Sequence, residues 1–293
     1  MASEGDRRAG PEVEERRSRI LDVVRPGGDP RRGVAVATVS TLVFLGVLVV
    51  LVTRAPGWPT VKKTFFDPHQ FWSSLPEIAT AFKLNCKIFL IAEVFILVFA
   101  LLLAVLRSLQ GPVFFPLRAV AIVYADFFRG VPTILVIAIL GFGAPGLGLA
   151  GVPTSTTFWG IVALVLVYSA YVSEVYRAGI ESVHPSQAAA ARSLGLTHLQ
   201  ALRTVILPQA VRRVIPPLLN DFIGLQKDTA LVGTLGAVEA FQQSQIDTNA
   251  TFNYTPYLAA ALLFVAITIP LARFTDWLIL RDRRRRQAGG AFA

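Results

Sequence analysis

The stretch VAVATVSTLVFLGVLVVLV, residues 34–52, holds no charge and nothing more polar than serine or threonine. A helix needs about 20 such residues to cross the hydrocarbon of a bilayer, and a soluble fold has no place to bury this one. Five more stretches reach or approach that length: 78–106, 117–142, 158–176, 210–231 and 257–280. These five are interrupted. Lys83, Asn85, Lys87 and Glu93 fall in the second stretch, and Asp126, Arg129 and Pro132 in the third. Glu174 closes the fourth, the fifth holds Pro216, Pro217, Asn220, Asp221, Lys227 and Asp228, and the last holds Arg273 and Asp276. Only 16% of the residues are charged, against about a quarter in a soluble domain. The chain reads as an all-α integral membrane protein with six transmembrane helices.

Lys and Arg set the orientation. With both termini in the cytoplasm, the inner segments 1–33, 107–118, 177–213 and 281–293 hold 20 of the 28 Lys and Arg residues. The outer loops 53–77, 143–156 and 232–256 hold only Arg54, Lys62 and Lys63. This is the asymmetry that orients membrane proteins. It also accounts for the net charge of +9 without nucleic acid. Trp58, Trp72 and Trp159 fall at outer boundaries, where amphipathic rings prefer to sit. Residues 1–33 read as a disordered basic tail and 281–293 as a second basic tail, with Arg283–Arg286 against anionic lipid. Residues 34–77 read as an added helix and outer loop, and 78–280 as one connected transmembrane domain.

Cys86 is the single cysteine, so neither an internal disulfide nor a cysteine zinc cluster can form. His69, His184 and His198 have no metal-site spacing. No metal or catalytic residue is expected.

The loop HPSQAAAARSLGLTHLQALRTVILPQA, residues 184–210, belongs to neither neighbouring span. Ser186 is a candidate cap for a helix over Gln187–Leu194, with Pro185 before it. Its alanines favour helix with little bulk, so the helix can approach another protein closely. Gly195 can end it in a left-handed conformation. A second short helix over 199–205 leads to Leu207 and Pro208, which starts the next span. On periodicity alone a partnerless surface hairpin is the simpler reading.

This loop resembles the EAA loop of ABC importer permeases, in which Glu-Ala-Ala, three residues, Gly, nine residues and Ile-x-Leu-Pro follow one another. Ala190 and Ala191 match the alanines, Gly195 the glycine, and Val205-Ile206-Leu207-Pro208 the close. Ala189 stands where the pattern has glutamate, and Val205 replaces isoleucine. Further matches point to the polar amino-acid (His/Glu/Gln/Arg/opine) uptake branch. They are Phe128-Arg129-Gly130-Val131-Pro132, Ala170-Tyr171-Val172-Ser173-Glu174, Arg177-Ala178-Gly179-Ile180, Ile206–Ala210 and Lys227-Asp228-Thr229-Ala230-Leu231, with Ala230 replacing serine. They occur in family order over roughly 80–280.

The resemblance implies a five-helix type I permease core plus one N-terminal helix in a bacterial plasma membrane. It implies a coupling helix at 186–200 that docks on a cytoplasmic ATPase dimer through Ser186, Gln187, Ala189, Ala190, Ala191, Arg192, Ser193, Gly195, Leu207 and Pro208. It also implies an extracytoplasmic amino-acid-binding protein and a second permease subunit, identical or sibling. The chain has no G-x-x-x-x-G-K-[ST] phosphate loop. It is expected to need no cofactor of its own, ATP and Mg being bound by the partner.

Charges inside a bilayer are costly and mark partners or pathways. The candidates for a path or gate are Asp126, Arg129, Glu174, Asn220, Asp221, Lys227 and Asp228. Asp126 and Arg129 share a helical face, as do Glu174 and Arg177, so each can be a structural pair or a gate pair. Pro132 should kink its helix. Pro216-Pro217 is a candidate break in a discontinuous helix at a substrate path. Two function classes stand beside each other. One is the membrane subunit of an ATP-driven importer of glutamate, glutamine or a basic amino acid, and the other is an ion-coupled secondary transporter. A third class, an integral-membrane enzyme, has the least support, since no Ser/His/Asp set, paired catalytic carboxylates or metal cluster falls near one membrane face.

Overall fold

The computed structural model describes residues 30–109 and 111–290. The expected tail at 1–33 lies outside the described residues up to position 29, and the last residues of the 281–293 tail, 291–293, likewise. Among the described residues every regular element is helical. The chain divides into two units, 1–62 and 63–293. The first unit contributes α1 (Pro30–Arg54) and the start of α2 (Trp58–Phe65).

The second unit begins with the end of α2 and continues with α3 (Pro68–Ser108), α4 (Phe115–Gly130), α5 (Thr133–Ala138), a π turn over Ile139–Gly143 and α6 (Ala144–Gly146). It continues with α7 (Thr156–Glu181), α8 (Pro185–Ser193), α9 (His198–Ala201), a second π turn over Leu202–Ile206 and α10 (Leu207–Asp228). A 3-10 segment over Thr229–Leu235, α11 (Ala240–Thr251) and α12 (Thr255–Gly290) complete it.

Four helical stretches are long and apolar enough to cross a membrane: Ala35–Arg54, Trp58–Ser108, Thr156–Glu181 and Thr255–Arg281. Pro112–Gly130 and Thr133–Gly146 qualify together as a fifth, bent by 104°. The expected kink at Pro132 is thus a full break. Proline has no N–H to continue the ladder and pushes Val131 into extended backbone, seen at φ −97°, ψ 131°. The sixth expected span, 210–231, is a helix but falls short of that standard. Arg212, Arg213, Asn220, Asp221, Lys227 and Asp228 make α10 too polar.

Three further expectations change. The outer loop at 53–77 is mostly helical, because Asp67 caps α3, accepting from the N–H of His69 at 2.9 Å and of Gln70 at 3.4 Å with Pro68 in the first turn. This starts α3 well before residue 78. The loop at 232–256 contains α11. Pro216-Pro217 does not break α10, which runs unbroken through both prolines. The irregular backbone comes instead at Thr229–Leu235.

α3 and α7 lie side by side at the centre and run in the same direction, their starts sharing one cavity and their ends joined by Arg107 and Glu174. Lipid tails are as apolar as leucine, so helices in a bilayer are joined by close packing of small residues rather than by the hydrophobic effect. Ala92 and Ala100 of α3 and Ala163 and Ala170 of α7 are fully buried, beside Ile96, Leu164, Val167 and Leu225. Phe89 of α3 meets Phe222 of α10 edge-on at 4.4 Å, and Phe82 meets Phe264 of α12 edge-on at 5.0 Å. Arg107 and Lys87 sit roughly 30 Å apart along α3 at the ordinary helical rise. Glu174 and Thr157 mark nearly the same interval along α7. The interval matches the bilayer hydrocarbon of about 30 Å.

Candidate coupling hairpin and polar path

The hairpin is built from three local devices. His184, not Ser186, caps α8. Its Nδ1 accepts the Ser186 N–H at 3.2 Å and lies 2.7 Å from the Ser186 hydroxyl, while Pro185 takes the first helical position, where no N–H is needed. Gly195 adopts φ +86°, and the Leu196 N–H reaches back to the Ala191 carbonyl at 3.2 Å, the closure of a Schellman motif. Thr197 and Gln200 then form a capping box. The Gln200 Oε1 accepts from the Thr197 N–H at 2.9 Å, and the Thr197 Oγ1 accepts from the Gln200 N–H at 3.3 Å. The second helix starts at His198 and passes through the π turn directly into α10, with Pro208 in the first turn. It therefore does not end at residue 205.

Ala191 is buried, and Ser186, Gln187, Ala189, Ala190, Arg192, Ser193 and Gly195 are exposed. Leu207 is also exposed. Leu194 is 84% exposed. Reading the sequence missed this residue, whose only signal is a leucine between Ser193 and the left-handed glycine. The hairpin is fixed to the bundle at its base. The Arg213 guanidinium donates to the Ser182 carbonyl. Gly179 lets α10 approach closely: a Cβ there would run into the Val214 side chain and come within 3.5 Å of the Ala210 carbonyl.

Glu174 gathers three arginines. Its Oε1 accepts from Arg107 at 2.5 Å and lies 3.4 Å from Arg129. Its Oε2 accepts from the Nε and Nη2 of Arg177 at 3.0 and 2.7 Å. Arg177 also donates to both oxygens of Glu181 at 2.7 Å. The side chains of Arg107 and Glu174 are 10% and 17% exposed. The expected Asp126–Arg129 pair is not formed. Arg129 turns to Glu174, and Asp126 is exposed with no ion pair among the described residues. The break after Gly130 explains this, since it holds the end of α4 against α7 at the level of Glu174.

A second group lies deeper. The Tyr168 hydroxyl donates to Asp228 at 2.9 Å and stands close to Gly224. One carboxylate oxygen of Asp221 is buried without a hydrogen-bond partner, and Glu93 lies within electrostatic reach of Asp221. Asn220 and Lys227 are exposed, and Lys227 lies within electrostatic reach of Asp228.

A third group was not expected as a site. Asn85 of α3 donates to Glu239 at 2.8 Å and to the Thr229 hydroxyl at 3.1 Å, and accepts the Ala240 N–H at 3.0 Å. Glu239 is fully buried and caps α11, accepting from the N–H groups of Phe241 and Gln242 at 2.9 Å. Burial pushes its carboxyl above the ordinary range, against the lowering effect of those donors. Thr229 of the Lys-Asp-Thr motif thus ties the end of α10 to α3, its hydroxyl accepting from Asn85 and donating to the Gln226 carbonyl.

A broken helical bundle, a capped hairpin projecting from one end and carboxylates inside the bundle define a membrane transport subunit. The profile described as "Binding-protein-dependent transport system inner membrane component" matches residues 96–284. The chain belongs to that family. It is 35% identical over 198 residues to the "Probable amino-acid permease protein YxeN" of Bacillus subtilis, covering 67% of this chain and 87% of that protein. It is 37% identical over 169 residues to the "Probable glutamine ABC transporter permease protein GlnM" of the same organism, covering 57% of this chain and 76% of that protein. Among solved structures, a crystal structure of an amino acid ABC transporter with histidines superposes with a TM-score of 0.66 at 30% identity, covering 74% of this chain and 98% of that one. The methionine transporter MetNI in an inward-facing state shares the fold at 18% identity and a TM-score of 0.54, covering 73% of this chain and 98% of that one. The chain is a permease subunit of an ABC transporter, and ATP hydrolysis belongs to a partner subunit.

Proposed function

We propose that this chain takes up a polar amino acid (glutamate, glutamine or a basic one) across a bacterial plasma membrane, driven by a cytoplasmic ATPase dimer that binds ATP and Mg. The relatives named for amino acids and glutamine support the substrate class. The observation that carries the mechanism is the hairpin itself. It exposes Leu194 and a flat alanine face while Arg213 and Gly179 fix its base to α7 and α10. A push on the hairpin therefore moves the two helices that hold Glu174 on one side and Asp221 and Asp228 on the other.

In this reading both termini and the hairpin are cytoplasmic, and a second permease copy or sibling completes the path. A binding protein delivers the amino acid from outside. Glu174 with Arg107, Arg129 and Arg177 forms a gate near the cytoplasmic face, and the Tyr168–Asp228–Asp221–Glu93 group offers polar partners to the passing solute.

The test is uptake into proteoliposomes holding the permease, its ATPase and its binding protein, with and without residues 187–195. Loss of both ATP-driven uptake and ATPase retention in the deletion supports the reading. Uptake that survives the deletion, or that runs on an ion gradient without the ATPase, overturns it.

A further inference from the structure

We propose that the groove between α3 and α7 binds an anionic phospholipid of the outer leaflet, with Lys83 and Lys87 holding its phosphate. The choice of leaflet rests on the orientation proposed above. The selectivity for lipid charge does not.

A cavity of about 540 Å³ opens between the two helices, walled by Leu84, Ile91, Phe95, Phe158, Val162 and Leu166. Lys87 is the single charged residue in its lining. Lys83 lies one turn away on the same face of α3. Both lysines are exposed, and neither forms an ion pair among the described residues. A lysine on the bare side of a membrane helix is costly unless its ammonium reaches the interface. Lys87 sits roughly 30 Å from Arg107 along α3, which places it where the hydrocarbon ends and headgroups begin. Ser155 and Thr157 line the same end of the cavity, at the start of α7.

The groove is therefore cationic and hydroxyl-bearing at headgroup height and hydrocarbon below it. That is the pattern of a phosphate with an acyl chain beneath. It does not fit the transported solute, because below Lys87 and the two hydroxyls a polar amino acid would find no partner. The carboxylates Glu93, Asp221 and Asp228 are absent from the lining. Asn85 and Phe89, on the opposite side of α3, line a different cavity against α10 and α12.

The test is native mass spectrometry of the delipidated permease–ATPase complex titrated with phosphatidylglycerol or phosphatidylcholine. Every protein carries Arg283–Arg286 changed to Gln, so that the basic run at the chain's end does not compete. The parent should retain phosphatidylglycerol over phosphatidylcholine. The pair Lys83→Gln with Lys87→Gln should remove on the order of tenfold of that preference, and the pair Lys83→Arg with Lys87→Arg should keep it. Val162→Trp, which fills the groove, should lower retention of both lipids.

Unchanged preference in the Gln pair, in a complex that elutes monodisperse, overturns the proposal. So does a Gln pair that keeps its lipid preference but loses stimulation by the binding protein, since the lysines would then face a protein. The lipid readout needs no transport, so it stands or falls separately from the uptake experiment.

Discussion

Arg107 at the end of α3 and Glu174 near the end of α7 meet at 2.5 Å, both nearly buried, and Arg129 and Arg177 close on the same carboxylate. One carboxylate thus holds the ends of three helices that the sequence separates widely. Removing one partner of a buried pair leaves the other charge uncompensated and costs on the order of 3 kcal/mol. Glu174→Gln should lower the Tm of the purified complex clearly. Replacing both Arg107 and Glu174 by Leu should recover much of the loss. A double variant as unstable as the sum of the two single ones would show that the two residues act independently.

The close approach at Gly179 predicts a specific rescue. Gly179→Ala forces Val214 aside and should destabilise the complex, because a packed interface tolerates little added volume. Val214→Ala on top of it should restore part of the Tm. A second substitution that only adds further loss would mean that the two helices are not in contact there.

Little of this contact network was legible in the sequence. The apolar runs, the left-handed turn at Gly195, the helix start at Pro208 and the Glu174–Arg177 spacing are local signals, and each can be read from a few neighbouring residues. Arg107 joining Glu174, and Asn85 joining Glu239, are pairings between distant elements that no periodicity encodes. The Thr197–Gln200 capping box is likewise a local pattern, a threonine followed three residues later by glutamine. The Asp126–Arg129 pair failed because helical spacing shows which side chains could meet and not which stronger partner lies across the interface.

Glu239 gives a pH dependence of known sign. Burial raises its folded-state pKa above the ordinary carboxylate range. Protonated, it costs the fold nothing. Ionised, it must be accommodated without water. The stability it contributes is therefore present at low pH and falls as pH rises from the ordinary carboxylate value through the raised one. The Tm difference between wild type and Glu239→Gln should shift against wild type across that window. A difference that moves the other way would contradict the burial argument.

Asp221 holds a buried oxygen without a partner. Asp221→Asn should leave assembly with the ATPase intact and raise the KM for ATP-driven uptake, if the solute meets this oxygen on its way through. Unchanged uptake kinetics would remove Asp221 from the path.

The central claim is that the hairpin around Leu194 is where the ATPase docks. A photo-crosslinking residue placed at position 194 in the assembled complex tests it most directly, with position 72, on exposed Trp72 at the far end of α3, as the control. Crosslinks to the ATPase from position 194 and none from position 72 are the predicted result. ATPase crosslinks from position 72 and none from position 194 would contradict both the docking site and the orientation of the whole chain.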